Sequence, residues 1–497
     1  MSSIAMPRKK ISLFSAVALS ATCMVGSGWL FSAQLAARDA GNWAFLAWIL
    51  AALLVLSVGM CLSKVVAIYP VRGATTRSSS LSHNNVFGMP FAFENWFGIM
   101  VTVATEAQAT TQYLSAAIGK QYLMGHDGLT LQGKLLALGI LVLYLVINYY
   151  GIKLLAKVNN VITVLKIFTP IFTIVVLMLA HFDTSNFHLA TTGGFGAGSA
   201  ITAIVGAGLI YSFNGFQTTV AFASEIKDPA RNVPKSIIYS IGIVLVVYLC
   251  LQLAFMGAVP HEALANGWAS LNFSSPLMNL ALLLGINFLA ILLIADSVIS
   301  PSGTGYAYLG ASSRMLYAMA KEGQMPKWIA KLCPVYNFSK RSMVINFVLT
   351  ALVLWNAKSW ASLMVVVTGY HIIGYMAAPV SMSALKSKTK AFGLLVFVCL
   401  GMIMTTIPSG DLLMMNGSLT ILVLIFLVIQ RRQGIAKLLM FSTPFMGYLW
   451  LLYLSPDWIF SVLLSIVFFF IATSRRYIDI CKEGREEFVD DEVALKH

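Results

Sequence analysis

Ala21-Thr22-Cys23-Met24-Val25-Gly26-Ser27-Gly28-Trp29-Leu30 lies in the first apolar run of the chain and interrupts it in the middle. Two glycines around a serine are poor helix formers, each Gly costing roughly 1 kcal/mol against Ala in a helix interior. In lipid the backbone groups freed by such a break cost several kcal/mol more unless protein or a water-filled cavity receives them. A chain that breaks a helix at mid-span therefore offers amides and carbonyls to a ligand or to a neighbouring helix.

The rest of the composition places that run in a membrane. Of 497 residues, 58% are hydrophobic and only 10% charged, with a mean hydropathy of +0.81; a soluble domain carries about 25% charged residues. The apolar segments have the ~17–25-residue length of a membrane-crossing helix, and the alternating ten-residue pattern of a membrane barrel is absent. Spans are expected near 13–37, 43–68, 89–118, 133–150, 156–181, 198–223, 235–259, 277–300, 341–357, 360–384, 392–408, 414–430, 436–454 and 458–474. The net charge of +14 would suggest nucleic acid in a soluble protein, but here it follows topology. With the N-terminus inside, the outer segments hold Arg38, Lys120, Lys134 and Lys358, spans hold Lys64 and Lys166, and every other Lys and Arg falls on the inner side. Such a bias sets orientation, so both termini are expected in the cytoplasm and no nucleic-acid partner is expected. The six cysteines are scattered without paired spacing and read as small apolar residues, not as a disulfide or metal framework.

A second break lies further on. The sixth span reads Gly206-Ala207-Gly208-Leu209-Ile210-Tyr211-Ser212-Phe213-Asn214-Gly215-Phe216, with the turn dipeptide Asn214-Gly215 in mid-membrane. Spans one and six are five apart, and interrupted helices at corresponding positions of two halves point to the binding site of a secondary transporter. An odd number of spans per half inverts the second half. The expected organisation is a cytoplasmic segment 1–12, a ten-helix core 13–385 (repeats 13–181 and 198–385), peripheral helices 390–475 and a charged cytoplasmic tail 476–497. No Gly-rich nucleotide loop is present, so an ion or solute gradient must supply the energy. An enzyme would need a metal cluster or a nucleophile–base set, and no His/Cys/Asp spacing here qualifies. A receptor would need a sizeable soluble domain, and no loop is long enough to form one.

The motifs also resemble a known family. Gly26-Ser27-Gly28 is similar to the substrate-binding signature of the amino acid–polyamine–organocation superfamily. Tyr69-Pro70-Val71-Arg72-Gly73-Ala74 follows span two, and Ser224-Glu225-Ile226-Lys227-Asp228-Pro229 through Lys235 follows span six. Ser313-Arg314-Met315-Leu316-Tyr317 through Pro326 is a fourth match. Asp296 with Ser300-Pro301-Ser302-Gly303-Thr304-Gly305 resembles the subgroup of bacterial aspartate–proton symporters. The resemblance implies an all-α integral membrane protein with a LeuT-like 5+5 inverted-repeat core, discontinuous helices 1 and 6, and about 12–14 transmembrane helices. It implies transport of amino acids or amines by alternating access, as a proton symporter or as an exchanger. Two positions depart from the family: Ala33 replaces a frequent Pro, and Gln217 replaces an acidic residue found in several relatives.

The residues for the chemistry follow. Small residues often serve helix packing in membranes, but a half-helix N-terminus also supplies amides and a positive dipole end. On that ground Val25, Gly26, Ser27 and Gly28 are expected to hold a substrate carboxylate. Carbonyls along Tyr211, Ser212, Phe213, Asn214 and Gly215 suit its ammonium, and Tyr211 or Phe213 suits a lid. Lys166 is a mid-span ion, which is a functional residue by default; the resemblance places it where sodium-coupled relatives hold their ion. Glu106 and Asp296 are candidate proton sites, partners for Lys166, determinants of side-chain selectivity, or protonated acids in an interhelical hydrogen bond. Glu94 reads as interfacial, His371 as structural, and Glu225 as part of a cytoplasmic gate. The expected partners are an amino acid, protons and the bilayer, with no metal and no cofactor. The side chain of the substrate and the oligomeric state are left open.

Overall fold

The first apolar run folds as two helices, α1 (Leu13–Met24) and α2 (Gly28–Ala40), bent by 59° at the Val25–Ser27 break. The structure, a computed structural model, describes residues 10–71, 74–118, 120–125, 128–150, 152–333, 339–429 and 435–483. Arg72 and Gly73 of the motif after span two lie outside these residues, as do most of the 1–12 segment and Glu486, Glu487, Asp490 and Asp491 of the tail.

After α2 come α3 (Trp43–Ile68), α4 (Ala74–Ser82), α5 (Asn85–Ile118) and the single turn α6 (Lys120–Leu123). Two antiparallel two-residue strands, β1 (Met124–Gly125) and β2 (Gly128–Leu129), lead into α7 (Leu131–Tyr150), α8 (Ile152–Ala180) and the short α9 (Ser185–Thr192). The sixth span is α10 (Ala197–Gly206), α11 (Leu209–Ser212) and α12 (Thr218–Ala221), followed by α13 (Pro229–Ala258). Then come α14 (Pro276–Leu283), α15 (Asn287–Lys321), α16 (Lys340–Asn356), α17 (Trp360–Tyr375) and α18 (Ala377–Leu385). The last described helices are α19 (Lys390–Met404), α20 (Ser409–Ile429), α21 (Ile435–Leu454), α22 (Trp458–Ala472) and α23 (Arg475–Glu483).

Among the described residues nine helices are long and apolar enough to cross a membrane, or eleven with each bent pair counted as a span. The broken α10–α12 and the 17-residue α16 fall short of that length. Large apolar side chains such as Leu179 (82% exposed) and Ile291 (68% exposed) stand on outward faces, as expected where the solvent is lipid. The protein is all-α and crosses the membrane many times. The most enclosed spans are α5 and the pair α17–α18, in which 89% and 94% of the residues of an 18-residue apolar stretch are buried, and α5 packs along both α15 and α17.

Four local features differ from the sequence reading. The polar stretch after α3, outside the expected spans, is helical from Ala74. The sixth span breaks twice, because Gly208 adopts a left-handed φ of 71° ahead of Gly215 at 121°. The eighth span begins later and runs on past residue 300: Gly285 (φ 70°) separates α14 from α15, and α15 continues through Pro301. That proline removes a donor from the Ser297 carbonyl, and Thr110 on α5 supplies a replacement at 2.8 Å. Glu94 is not interfacial. An α5 that begins at Asn85 carries it into the interior, fully buried, with neither carboxyl oxygen hydrogen-bonded.

The C-terminal helices join the core at the α4–α5 corner. The His83 ring lies 2.8 Å from the Ala472 carbonyl and stacks on Phe87, and Asn84 donates to the Cys481 carbonyl at 3.1 Å. Burial lowers the His83 pKa to about 4.

Candidate functional site

The two breaks touch, and glycine is what lets them. A Cβ on Gly28 would stand 3.1 Å from the Ser212 Cα, and one on Gly215 would stand 2.5 Å from the Cys23 carbonyl carbon and 2.7 Å from the Met24 nitrogen. Each break therefore uses a missing side chain to seat the backbone of the other. From α13, the Tyr248 hydroxyl spans both, 3.0 Å from the Met24 carbonyl and 3.0 Å from the Ser212 carbonyl. Its one proton is shared between two acceptors that the breaks expose, where a low-dielectric interior demands a donor.

At the first break the charges follow helix polarity. The end of α1 presents carbonyls, and the Lys166 ammonium on α8 reaches the Thr22 carbonyl at 3.4 Å and the Thr304 hydroxyl on α15 at 2.7 Å. The start of α2 presents amides, and Glu106 on α5 takes the Ser27 amide with Oε2 at 3.0 Å and Oε1 at 3.3 Å. Tyr211 donates to Glu106 Oε1 at 2.9 Å. Cation at the C-terminal end and anion at the N-terminal end is the arrangement the helix dipole favours. The Ser27 hydroxyl accepts from the Trp360 indole at 2.8 Å and lies 3.1 Å from the Tyr211 hydroxyl. Trp360 stacks on Phe31 at 4.4 Å and meets Tyr211 edge-on at 5.6 Å.

Beside this cluster is a cavity of about 10 Å³ lined by Gly26, Thr102, Glu106, Tyr211, Asn214 and Thr304, among others; that is room for about one water. A larger cavity of about 60 Å³ lies next to Lys166, along Thr22, Cys23, Thr163 and Tyr308.

The structure thus brings Val25 to Gly28, Glu106, Lys166, Tyr211 and Asn214 into one neighbourhood. Phe213 belongs to it by backbone only: its ring packs against Trp48 at 5.9 Å and Tyr248 at 5.6 Å, away from the cavity. Ser212 packs on Gly28, with its hydroxyl 3.0 Å from that of Ser32. The Asn214 side chain is held by Tyr375, which donates at 2.8 Å, and lies 3.4 Å from His371 Nδ1. Asp296 is buried on α15 with the Thr169 and Ser300 hydroxyls beside its carboxyl group. Among the described residues no carboxylate forms an ion pair with Lys166; its partners are the hydroxyl and the carbonyl. Glu225 is distant from the cluster. The Glu225 carbonyl accepts from the Ile11 amide at 2.9 Å and the Lys227 amide donates to the Ile11 carbonyl at 3.0 Å, so the strand-like segment before α1 is tied to the segment after α12. Tyr248, Trp360 and Tyr375 escaped the sequence reading because nothing in their local pattern separates them from packing aromatics. Thr304 lay within a stretch already quoted, without a role.

Comparison with known proteins gives this geometry a family. A family model described as amino acid permease matches residues 11–478. A glutamate/serine transporter of Bacillus subtilis is 33% identical, over 77% of this chain and 72% of its own length. An aspartate-proton symporter of the same organism is 30% identical, over 77% and 74%. A branched-chain amino acid permease of Lactococcus lactis is 24% identical, over 60% and 65%. With two touching helix breaks in a many-helix membrane protein and a match over nearly its whole length, the chain belongs to the amino acid permease family.

Proposed function

We propose that the protein is a secondary transporter that moves amino acids across the cytoplasmic membrane by alternating access, coupled to proton symport. The observation that carries the reading is the Ser27 amide at the start of α2, which already grips a carboxylate, with the second break against it. A substrate carboxylate takes that amide, and the ammonium faces the carbonyl end of α11 near Asn214. Val25, Gly26 and Gly28 shape the first contact, and Tyr211 to Gly215 shape the second. Spans one to five and six to ten form the inverted repeats around this point, both termini are cytoplasmic, and Glu225 belongs to the inner gate.

Lys166 ties α1 to α15 through the Thr22 carbonyl and the Thr304 hydroxyl. Loss of its proton weakens that tie, which makes it the first coupling residue, with Glu106 and Asp296 as the buried acids beside it. The named activities of the relatives support small amino acids or acidic ones. The test is uptake of labelled L-glutamate, L-aspartate and L-serine into proteoliposomes. An inward acid gradient should drive accumulation above equilibrium. Uptake that ignores the gradient and requires internal amino acid would make the protein an exchanger instead.

A further inference from the structure

The substrate reading gives the Ser27 amide to an incoming carboxylate, yet a carboxylate of the protein already occupies it. We propose that Glu106 is a tethered stand-in for the substrate carboxylate: it holds the Ser27 amide in the empty carrier and is displaced when an amino acid binds. The proposal rests on the reading of the first break as the substrate-carboxylate site.

The geometry is that of a bound ligand. Both Glu106 oxygens lie within hydrogen-bond distance of the Ser27 nitrogen, at 3.0 and 3.3 Å, and Tyr211 adds a donor at 2.9 Å. A free carboxylate at a helix N-terminus would be held in the same way. Gly26 is shaped to this occupant, since a Cβ there would approach Glu106 Oε1 to 2.7 Å and the Thr304 hydroxyl to 3.3 Å. The adjoining cavity of about 10 Å³ leaves no space for an amino acid while Glu106 stays in place. Substrate and Glu106 therefore compete for one donor.

Displacement also fixes where a proton goes. Oε2 has the Ser27 amide as its donor, whereas Oε1 keeps Tyr211. When the substrate carboxylate takes the amide, Oε2 is left in a buried site without compensation, and one proton from solvent goes onto it. One negative charge enters with the substrate and one is neutralised, so the charge at the break is unchanged. The titratable groups facing Glu106 are Cys23 on α1, Tyr144 on α7, Lys166 on α8, Tyr211 on α11, Tyr248 on α13 and Tyr308 on α15. On α17, His371 lies against Gly98, two turns away along α5, and Tyr375 donates to Asn214 at the cavity edge. Lys166 is the one cation of this set, and it is engaged by Thr304.

The test uses full-length protein and the L-amino acid that raises the melting temperature most in a screen of all twenty. Calorimetric titration in two buffers of different ionisation enthalpy counts the protons taken up. Wild-type protein should take up about one proton per amino acid, and its affinity should fall about tenfold per pH unit where Glu106 is ionised. Glu106→Gln should take up none, bind with a flat pH profile, and bind at least about tenfold tighter than wild type at alkaline pH. The amine lacking the carboxylate of the probe should bind wild type without proton uptake. Tighter binding separates competition from a structural role, and the wild-type titration stands even if the variant fails to fold. Unchanged proton uptake in Glu106→Gln, or weaker binding at every pH, overturns the proposal while leaving the permease reading in place. If no amino acid binds either protein, the permease reading fails first.

Discussion

The two helix breaks meet at one point but are built differently. The first is charged: Glu106 on the amide end of α2 and Lys166 on the carbonyl end of α1. The second is neutral: its carbonyls face Tyr248, and its Asn214 side chain is fixed by Tyr375. The backbone of the second break is rigidly pressed against α1, whereas the occupant of the first is the far end of a flexible side chain. A site that must both recognise and release needs this asymmetry, with one side as a fixed template and the other carrying an exchangeable partner.

The comparison breaks most visibly at the glycines. Gly215→Ala places a methyl group against the backbone of Cys23 and Met24 at a φ of 121°, and should cost about 3 kcal/mol or more. Gly26→Ala meets side-chain atoms first, the Glu106 carboxylate and the Thr304 hydroxyl, and should cost about half as much; melting temperatures of the two variants check the ranking. Lys166→Ala removes the tie between α1 and α15 and should reduce gradient-driven uptake at least about tenfold while leaving exchange measurable, a charged hydrogen bond being worth ~1.5–3 kcal/mol. Tyr248→Phe strips the donor from the Met24 and Ser212 carbonyls together and should destabilise by about 1–3 kcal/mol, read by thermal unfolding. Trp360→Phe keeps the stacking on Phe31 and loses one neutral bond to Ser27, for about 0.5–1.5 kcal/mol.

His83 supplies an acid sensitivity away from both breaks. Its folded pKa is lowered to about 4 by burial, below the ~6.5 of an unfolded chain. Its contribution to stability is therefore full above pH 6.5 and is lost as pH falls from 6.5 towards 4, by up to ~1.4 kcal/mol per pH unit. His83→Gln should flatten the melting temperature over that window without altering the pH profile of uptake.

Much of this was legible in the sequence because it depends on backbone chemistry. Gly26-Ser27-Gly28 and Asn214-Gly215 cluster poor helix formers at mid-span, so both discontinuities and their spacing could be read directly, whereas single glycines such as Gly98 and Gly303 stay inside continuous helices. What could not be read depends on which way side chains face. Glu106 stood out as a buried acid, but its grip on Ser27 needs the register of α5 against α2. Pro301 looked like the end of a span because the Thr110 hydroxyl that rescues the Ser297 carbonyl comes from another helix. Glu94 looked interfacial until the true start of α5 placed it inside.

The most direct test is a structure of the protein with its amino acid bound. The account predicts the substrate carboxylate about 2.7–3.2 Å from the Ser27 nitrogen, with Glu106 moved off that amide. A substrate bound elsewhere, with Glu106 still on Ser27, would contradict it.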